Sequence, residues 1–223
     1  MPTLPHARKP ILSYVTDRLA LADPSSLAAV IRRAAEAGTD WIQIREKDLD
    51  ARPLTELVRS VLAETRKTGA RILVNDRLDV ALAAGAAGVH LGGTSLPVEV
   101  VAEWRRAANR THFLIGVSCH SPDAARAAER GGADYVFFGP VFATPSKAAF
   151  GPPQGIERLR EVCRAVKIPV LAIGGVTPEN AAQCLEAGAA GIAAIRLFQE
   201  SADVAAGVMR LRGELPRGTM SNP

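Results

Sequence analysis

EAGTDWIQIR (36–45), AAGAAGVHLG (83–92), RGGADYVFFG (130–139) and EAGAAGIAAIR (186–196) are four versions of one junction. In each, a helical pattern stops at a glycine (Gly38, Gly85, Gly132 or Gly188), and an apolar, strand-like run begins three residues later. A glycine just past the last helical turn takes the left-handed conformation that closes a helix without a Cβ penalty. The four glycines are separated by 47, 47 and 56 residues. A strand–helix pair of ordinary lengths takes about 22 residues, so each interval holds two pairs.

The elements this spacing requires lie between the junctions. Apolar strand-like runs occur at 11–16 (ILSYVT), 71–74 (RILV), 113–117 (FLIGV) and 169–173 (PVLAI). Leu54, Leu57, Val58, Val61 and Leu62 repeat with helical spacing, as do Leu27, Val30, Ile31 and Ala34. Eight strands alternate with eight helices. Strands this apolar want both faces covered, which implies a parallel sheet. The expectation is a single-domain (β/α)8 TIM barrel over 1–223, with flexible ends at about 1–10 and 216–223. A doubly wound open sheet is the alternative, but no G-x-G-x-x-G follows the first strand. The third interval carries nine extra residues, and FATPSKAAFGPPQG (142–155) is where they fall. That stretch joins a strand to a helix on the face where barrel active sites are built, so it reads as a substrate loop or lid.

Composition narrows the function classes. The chain has 223 residues, 48% of them hydrophobic, and a net charge of +4. No apolar run approaches the length of a membrane span, and MPTLPHARKP lacks the apolar core of a secretory signal. Cys119, Cys163 and Cys184 are too scattered for a disulfide framework, so a cytoplasmic setting is expected. The basic residues are dispersed and aromatics make up only 4%, which argues against nucleic acid. A small anion is the better-motivated partner.

The strand ends show where it would bind. In IQIREKD, Ile42 and Ile44 alternate with Gln43, Arg45 and Lys47, so period two turns these three polar residues toward the barrel mouth. Two cations and an amide there are costly to desolvate unless an anion or internal carboxylates meet them. The third strand ends in Asn75-Asp76, which reads as a heterocycle reader beside a Mg2+ ligand or as ordinary turn chemistry. The fifth ends in Ser118, Cys119 and His120. The seventh runs into Gly174-Gly175 ahead of a helix starting at Thr177-Pro178, and loops after strands seven and eight commonly hold phosphate.

These segments, with YVTDR (14–18), QIREKD (43–48), NDRLDVALAAGAAGVHLG (75–92), GVSCHS (116–121), GADYVFFGPVFATPSK (132–147) and IGGVTPENAAQCLEAGAAGIA (173–193), resemble the thiamine-phosphate synthase family. The resemblance covers nearly the whole chain. It implies a transferase that condenses a hydroxymethylpyrimidine diphosphate with a thiazole phosphate through a pyrimidine cation. It implies Gln43, Arg45, Lys47, Asn75, Ser118 and Lys147 around the pyrimidine diphosphate, with Arg45, Lys47, Ser118 and Lys147 as the catalytic group. Thr144, Ser146, Gly175, Ile195 and Arg196 fall at the thiazole-phosphate positions. Asp76 falls at a Mg2+ ligand position, making Mg2+ the expected cofactor. Small phosphorylated molecules are the expected partners, without nucleic acid or membrane, and a homodimer stays open.

Two positions depart from the pattern. Ser95 stands where the family usually has a second acidic metal ligand, and Arg196 where a small serine is typical. His120 matches a neighbouring branch, the thiazole tautomerases, which isomerise thiazole carboxylate phosphate without joining rings. A non-catalytic protein that binds a phosphorylated heterocycle is a third reading.

Overall fold

The computed structural model describes residues 9–144, 152–201 and 203–214. Eight parallel strands close in chain order: β1 (Ile11–Val15), β2 (Trp41–Ile44), β3 (Arg71–Asn75), β4 (Gly88–Leu91), β5 (Leu114–Cys119), β6 (Tyr135–Phe138), β7 (Val170–Ile173) and β8 (Gly191–Ala194). β8 pairs back to β1, which excludes the open sheet. The helices outside are α1 (Leu27–Glu36), α2 (Ala51–Thr65), α3 (Leu78–Ala84), α4 (Val98–Ala107), α5 (Pro122–Gly131), α6 (Gly155–Ala165), α7 (Pro178–Glu186), α8 (Arg196–Gln199) and α9 (Val204–Glu214). The described residues thus hold nine α-helices where eight are expected, because the one-turn α8 intervenes between β8 and the closing α9.

All four junction glycines are left-handed, with φ of 99° (Gly38), 79° (Gly85), 99° (Gly132) and 103° (Gly188), and β2, β4, β6 and β8 begin three residues after them. The strands sort their side chains by parity. Leu12, Tyr14, Ile42, Ile44, Ile72, Val74, Val89 and Leu91 join the helices in the outer core. Ile11, Trp41, Leu73, Leu114, Tyr135, Phe137 and Leu171 fill the interior. Each large aliphatic chain so buried contributes about 1.5–3 kcal/mol.

Two junctions carry an aspartate just before the strand. The Asp40 carboxylate accepts the Leu12 N–H of β1 at 2.8 Å, and the Asp134 carboxylate accepts the Ile115 N–H of β5 at 2.7 Å. An arginine covers each, Arg212 from α9 and Arg105 from α4. Arg212 also donates to the Gly38 carbonyl at 2.8 Å and the Pro10 carbonyl at 2.6 Å. At the opposite face, the Gln199 amide of α8 holds Asp17 from both sides. Its Oε1 accepts the Asp17 N–H at 3.1 Å and its Nε2 donates to the Asp17 carbonyl at 2.7 Å.

Candidate active site

The carboxyl ends of β2 and β3 carry a directed chain of amides. The Asn75 amide donates through its Nδ2 to Asp76 Oδ2, at 2.8 Å. Asn75 Oδ1 then accepts Gln43 Nε2 at 2.8 Å, leaving Gln43 Oε1 as a buried acceptor with no partner among the described residues. Asp76 has a left-handed backbone, φ 59°, uncommon for a residue with a Cβ. Its other oxygen accepts the Gly92 N–H at 3.2 Å and the Ser95 hydroxyl. Ser95 therefore stands against Asp76.

Arg45 and Lys47 follow β2. The strand ends at Ile44, so the alternation predicted through Lys47 does not extend that far. Lys47 lies in an exposed turn while the intervening Glu46 is buried. The Thr16 hydroxyl donates to Glu46 and accepts the Arg45 N–H at 2.9 Å, and Glu46 Oε2 accepts the Arg18 N–H at 2.9 Å. Burial raises the Glu46 carboxyl above the usual range despite these donors. Among the described residues, the ion-pair partner of Arg45 is Asp17 at 4.0 Å, and Lys47 has none. Arg45 thus has one long ion pair, and Lys47, among the described residues, has no carboxylate beside it.

Ser118 ends the inward row of β5. His90 Nε2 lies 2.9 Å from its Oγ, and His90 Nδ1 lies 3.1 Å from the Tyr135 hydroxyl. Burial pushes the imidazole down to about 3, outweighing the opposing pull of Asp76. His120, two residues further along, is exposed, with Nδ1 2.6 Å from the Gly139 carbonyl oxygen.

On the far side, Gly174 and Gly175 have φ of 91° and 67°. A Cβ on Gly175 would lie 2.5 Å from the Ala143 carbonyl oxygen, so glycine here lets two segments of chain approach. Asn180 of α7 donates to the Gly175 carbonyl at 3.0 Å and accepts the Thr177 N–H at 2.8 Å, fixing the turn. Ile195 and Arg196 open α8, and the Arg196 guanidinium is drawn to Glu200 at 2.6 Å. Thr144 ends the described part of its loop. Ser146 and Lys147 lie outside the described residues, as does most of the expected lid.

His90, Tyr135, Thr16 and Glu46 were not singled out by sequence reasoning. A histidine inside the apolar run GVHL was the signal for the first, and the others lay within the quoted segments YVTDR, QIREKD and GADYVFFG without standing out in them.

The fold and this mouth together define the class, a (β/α)8-barrel enzyme. The family model described as thiamine monophosphate synthase matches residues 12–198. A putative thiamine-phosphate synthase of Geobacter sulfurreducens is 48% identical over 184 residues, covering 82% of this chain and 84% of its own. The thiamine-phosphate synthase of Moorella thermoacetica is 46% identical over 188 residues, 84% and 88% of the two chains. Among solved structures, thiamine phosphate pyrophosphorylase from Pyrococcus furiosus superposes with a TM-score of 0.81 at 36% identity, covering 93% of this chain and 96% of that one. A 3-hexulose-6-phosphate synthase, with a TM-score of 0.72 at 19% identity, shares the fold alone. The chain belongs to the thiamine monophosphate synthase family, and it is a transferase of thiamine biosynthesis.

Proposed function

We propose that the mouth binds 4-amino-2-methyl-5-hydroxymethylpyrimidine diphosphate beside a thiazole phosphate and joins them. The bond from the pyrimidine methylene to the diphosphate oxygen breaks, and its electron pair leaves with pyrophosphate. The thiazole nitrogen lone pair then forms the new carbon–nitrogen bond to the resulting pyrimidine cation, giving thiamine phosphate.

The observation that carries this reading is the pair of under-partnered cations, Arg45 and Lys47, beside the Asp76–Ser95 pair. Arg45 and Lys47 meet the diphosphate, and Lys147 joins them from its loop. Ser118 supplies a hydroxyl to the departing group. Gln43 and Asn75 read the pyrimidine, whose amino group gives Gln43 Oε1 the donor it lacks. Gly175, Ile195 and Arg196 form the thiazole-phosphate cradle through backbone N–H groups, with Thr144 and Ser146 alongside. The work is positioning and charge stabilisation.

No group of three His, Cys, Asp or Glu that could hold a metal is gathered among the described residues. Asp76 and Ser95 offer one carboxylate and one hydroxyl, hard oxygens of the kind that would hold a Mg2+ ion. Bound there, Mg2+ would make pyrophosphate a better leaving group. No described helix is long and apolar enough to cross a membrane. The thiols of Cys119, Cys163 and Cys184 are free, and burial pushes them up to about 11, 11 and 12. Unreactive free thiols suit a cytoplasmic enzyme.

The test is incubation with Mg2+ and both phosphorylated precursors, then with thiazole carboxylate phosphate alone. Equimolar thiamine phosphate and pyrophosphate are expected from the first. Isomerisation in the second without coupling in the first would make the protein a tautomerase, and binding without turnover in either would make it a carrier.

A further inference from the structure

Three residues from consecutive strands, Tyr135 of β6, His90 of β4 and Ser118 of β5, form one hydrogen-bonded line from the barrel interior to its mouth. β4 and β6 are not neighbours, and β5 runs between them. Gly116 of β5 makes their contact possible. A Cβ there would lie 2.1 Å from Tyr135 Cζ and 2.6 Å from His90 Nδ1. The glycine leaves the space in which the phenol reaches the imidazole across an intervening strand.

The protons along this line can be assigned by elimination. Tyr135 is fully buried, and burial raises its hydroxyl above the usual range, so it is a phenol and not a phenolate. Among the described residues its one hydrogen-bond partner is His90 Nδ1, at 3.1 Å. If Nδ1 carried a proton and donated it to the phenol, the phenol's own proton would be buried without an acceptor, an arrangement that folded proteins avoid. The phenol therefore donates and Nδ1 accepts. A ring whose Nδ1 accepts carries its proton on Nε2, which donates to Ser118 Oγ at 2.9 Å. With that lone pair of Ser118 engaged, its own O–H is released to point into the mouth.

We infer that Tyr135 and His90 are positioning residues that lock Ser118 as a hydrogen-bond donor toward the reacting diphosphate. No proton moves along the line. Its effect is to fix which way the serine hydroxyl faces, and a departing pyrophosphate oxygen, which can only accept, needs a donor. A serine free to rotate would spend part of its time with its proton on His90 and its lone pairs facing an anion. This inference rests on the placement of Ser118 in the pyrimidine-diphosphate subsite proposed above.

The first test needs no substrate. In 15N-histidine-labelled protein, long-range proton–nitrogen correlation spectra report which ring nitrogen is protonated, and the His90→Gln spectrum identifies the His90 signals. The expected result is a neutral ring protonated on Nε2. A ring protonated on Nδ1, or on both nitrogens near neutral pH, would overturn the inference whatever the activity of the protein. The second test is kinetic. Tyr135→Phe should lower kcat roughly tenfold, with KM for the pyrimidine diphosphate changed less than about twofold, since the donor matters most as charge builds on the leaving oxygen. In a Ser118→Ala background the same change should cost nothing further. An equal loss in both backgrounds would make Tyr135 a packing residue only. If the wild-type protein forms no thiamine phosphate, the proposed function fails, while the tautomer is still decided by the spectra.

Discussion

The Ser95 hydroxyl from the β4–α4 loop donates to the same Asp76 oxygen that accepts the Gly92 N–H, so a neutral donor occupies the place beside the carboxylate where a second anionic ligand would stand. One carboxylate holds Mg2+ less tightly than two. Ser95→Asp should lower the Mg2+ concentration for half-maximal activity by roughly tenfold, a shift on the scale that adding one ligand charge produces in oxygen-ligated sites. Without metal, the two carboxylates would repel, so the variant should melt below wild type and recover when Mg2+ is added. A Mg2+ titration that does not move would remove Asp76 and Ser95 from the metal site.

Lys47 is exposed, and among the described residues it has no ion-pair partner, so the fold does not depend on it. Lys47→Ala should leave stability within about 0.5 kcal/mol, as at most surface positions. Yet kcat/KM should fall by roughly 10- to 100-fold if the ammonium meets the diphosphate. Urea unfolding and steady-state kinetics on one preparation separate the two effects. Unchanged kinetics would make Lys47 ordinary solvated surface.

Arg196 leans on Glu200 across one turn of α8. The guanidinium is thereby drawn along the helix and away from the backbone N–H groups at its start. Arg196→Ala should therefore change the thiazole-phosphate dissociation constant by less than about twofold, as expected when backbone amides carry the phosphate. Isothermal titration measures it directly, and a tenfold weakening would show that the side chain grips the phosphate.

Gly116→Ala probes packing beneath the site. Its Cβ would overlap Tyr135 and His90, both of which are buried inside the closed barrel. Overpacking of this kind costs typically 1–3 kcal/mol, so the urea midpoint should fall. Wild-type stability in the variant would mean that the interior relaxes around the methyl group.

Glu46 gives a pH signature. Burial raises its carboxyl above the unfolded value, so the folded state binds a proton that the unfolded state has already released. Its stabilising contribution is fully present below the unfolded value and is lost as pH rises through the raised folded value. Glu46→Gln removes this dependence. From about pH 4.5 upward, the unfolding free energy of wild type should therefore fall relative to the variant. A difference that is flat with pH would show that Thr16 and Arg18 fully offset the burial.

The architecture was legible because its signals are local. Gly38, Gly85, Gly132 and Gly188 each announce a helix end and a strand start within six residues, and four repeats fix the count. Gln43, Asn75 and Asp76 were legible because polar residues at the end of an apolar run contradict their surroundings. The strand alternation does not reach Lys47, which lies three residues past Ile44 where β2 ends. α8 escaped notice because RLFQ is too short to show a helical period. The line through His90, Tyr135 and Ser118 depends on a contact between non-adjacent strands across Gly116, which exists only once the sheet has closed and curved.

The grip of Gln199 on both backbone groups of Asp17 also bears on how the molecule comes into being. β1 is made first and β8 last, so one edge of β1 waits unpaired while nearly the whole polypeptide emerges from the ribosome. Only when residues 191–199 arrive can that edge be covered and the Asp17 turn be held in place. The Thr16–Asp17 segment beside Arg45 is thus among the last parts of the mouth to be fastened. A truncation ahead of α8 would leave every earlier element of the site in the chain and still yield no finished rim.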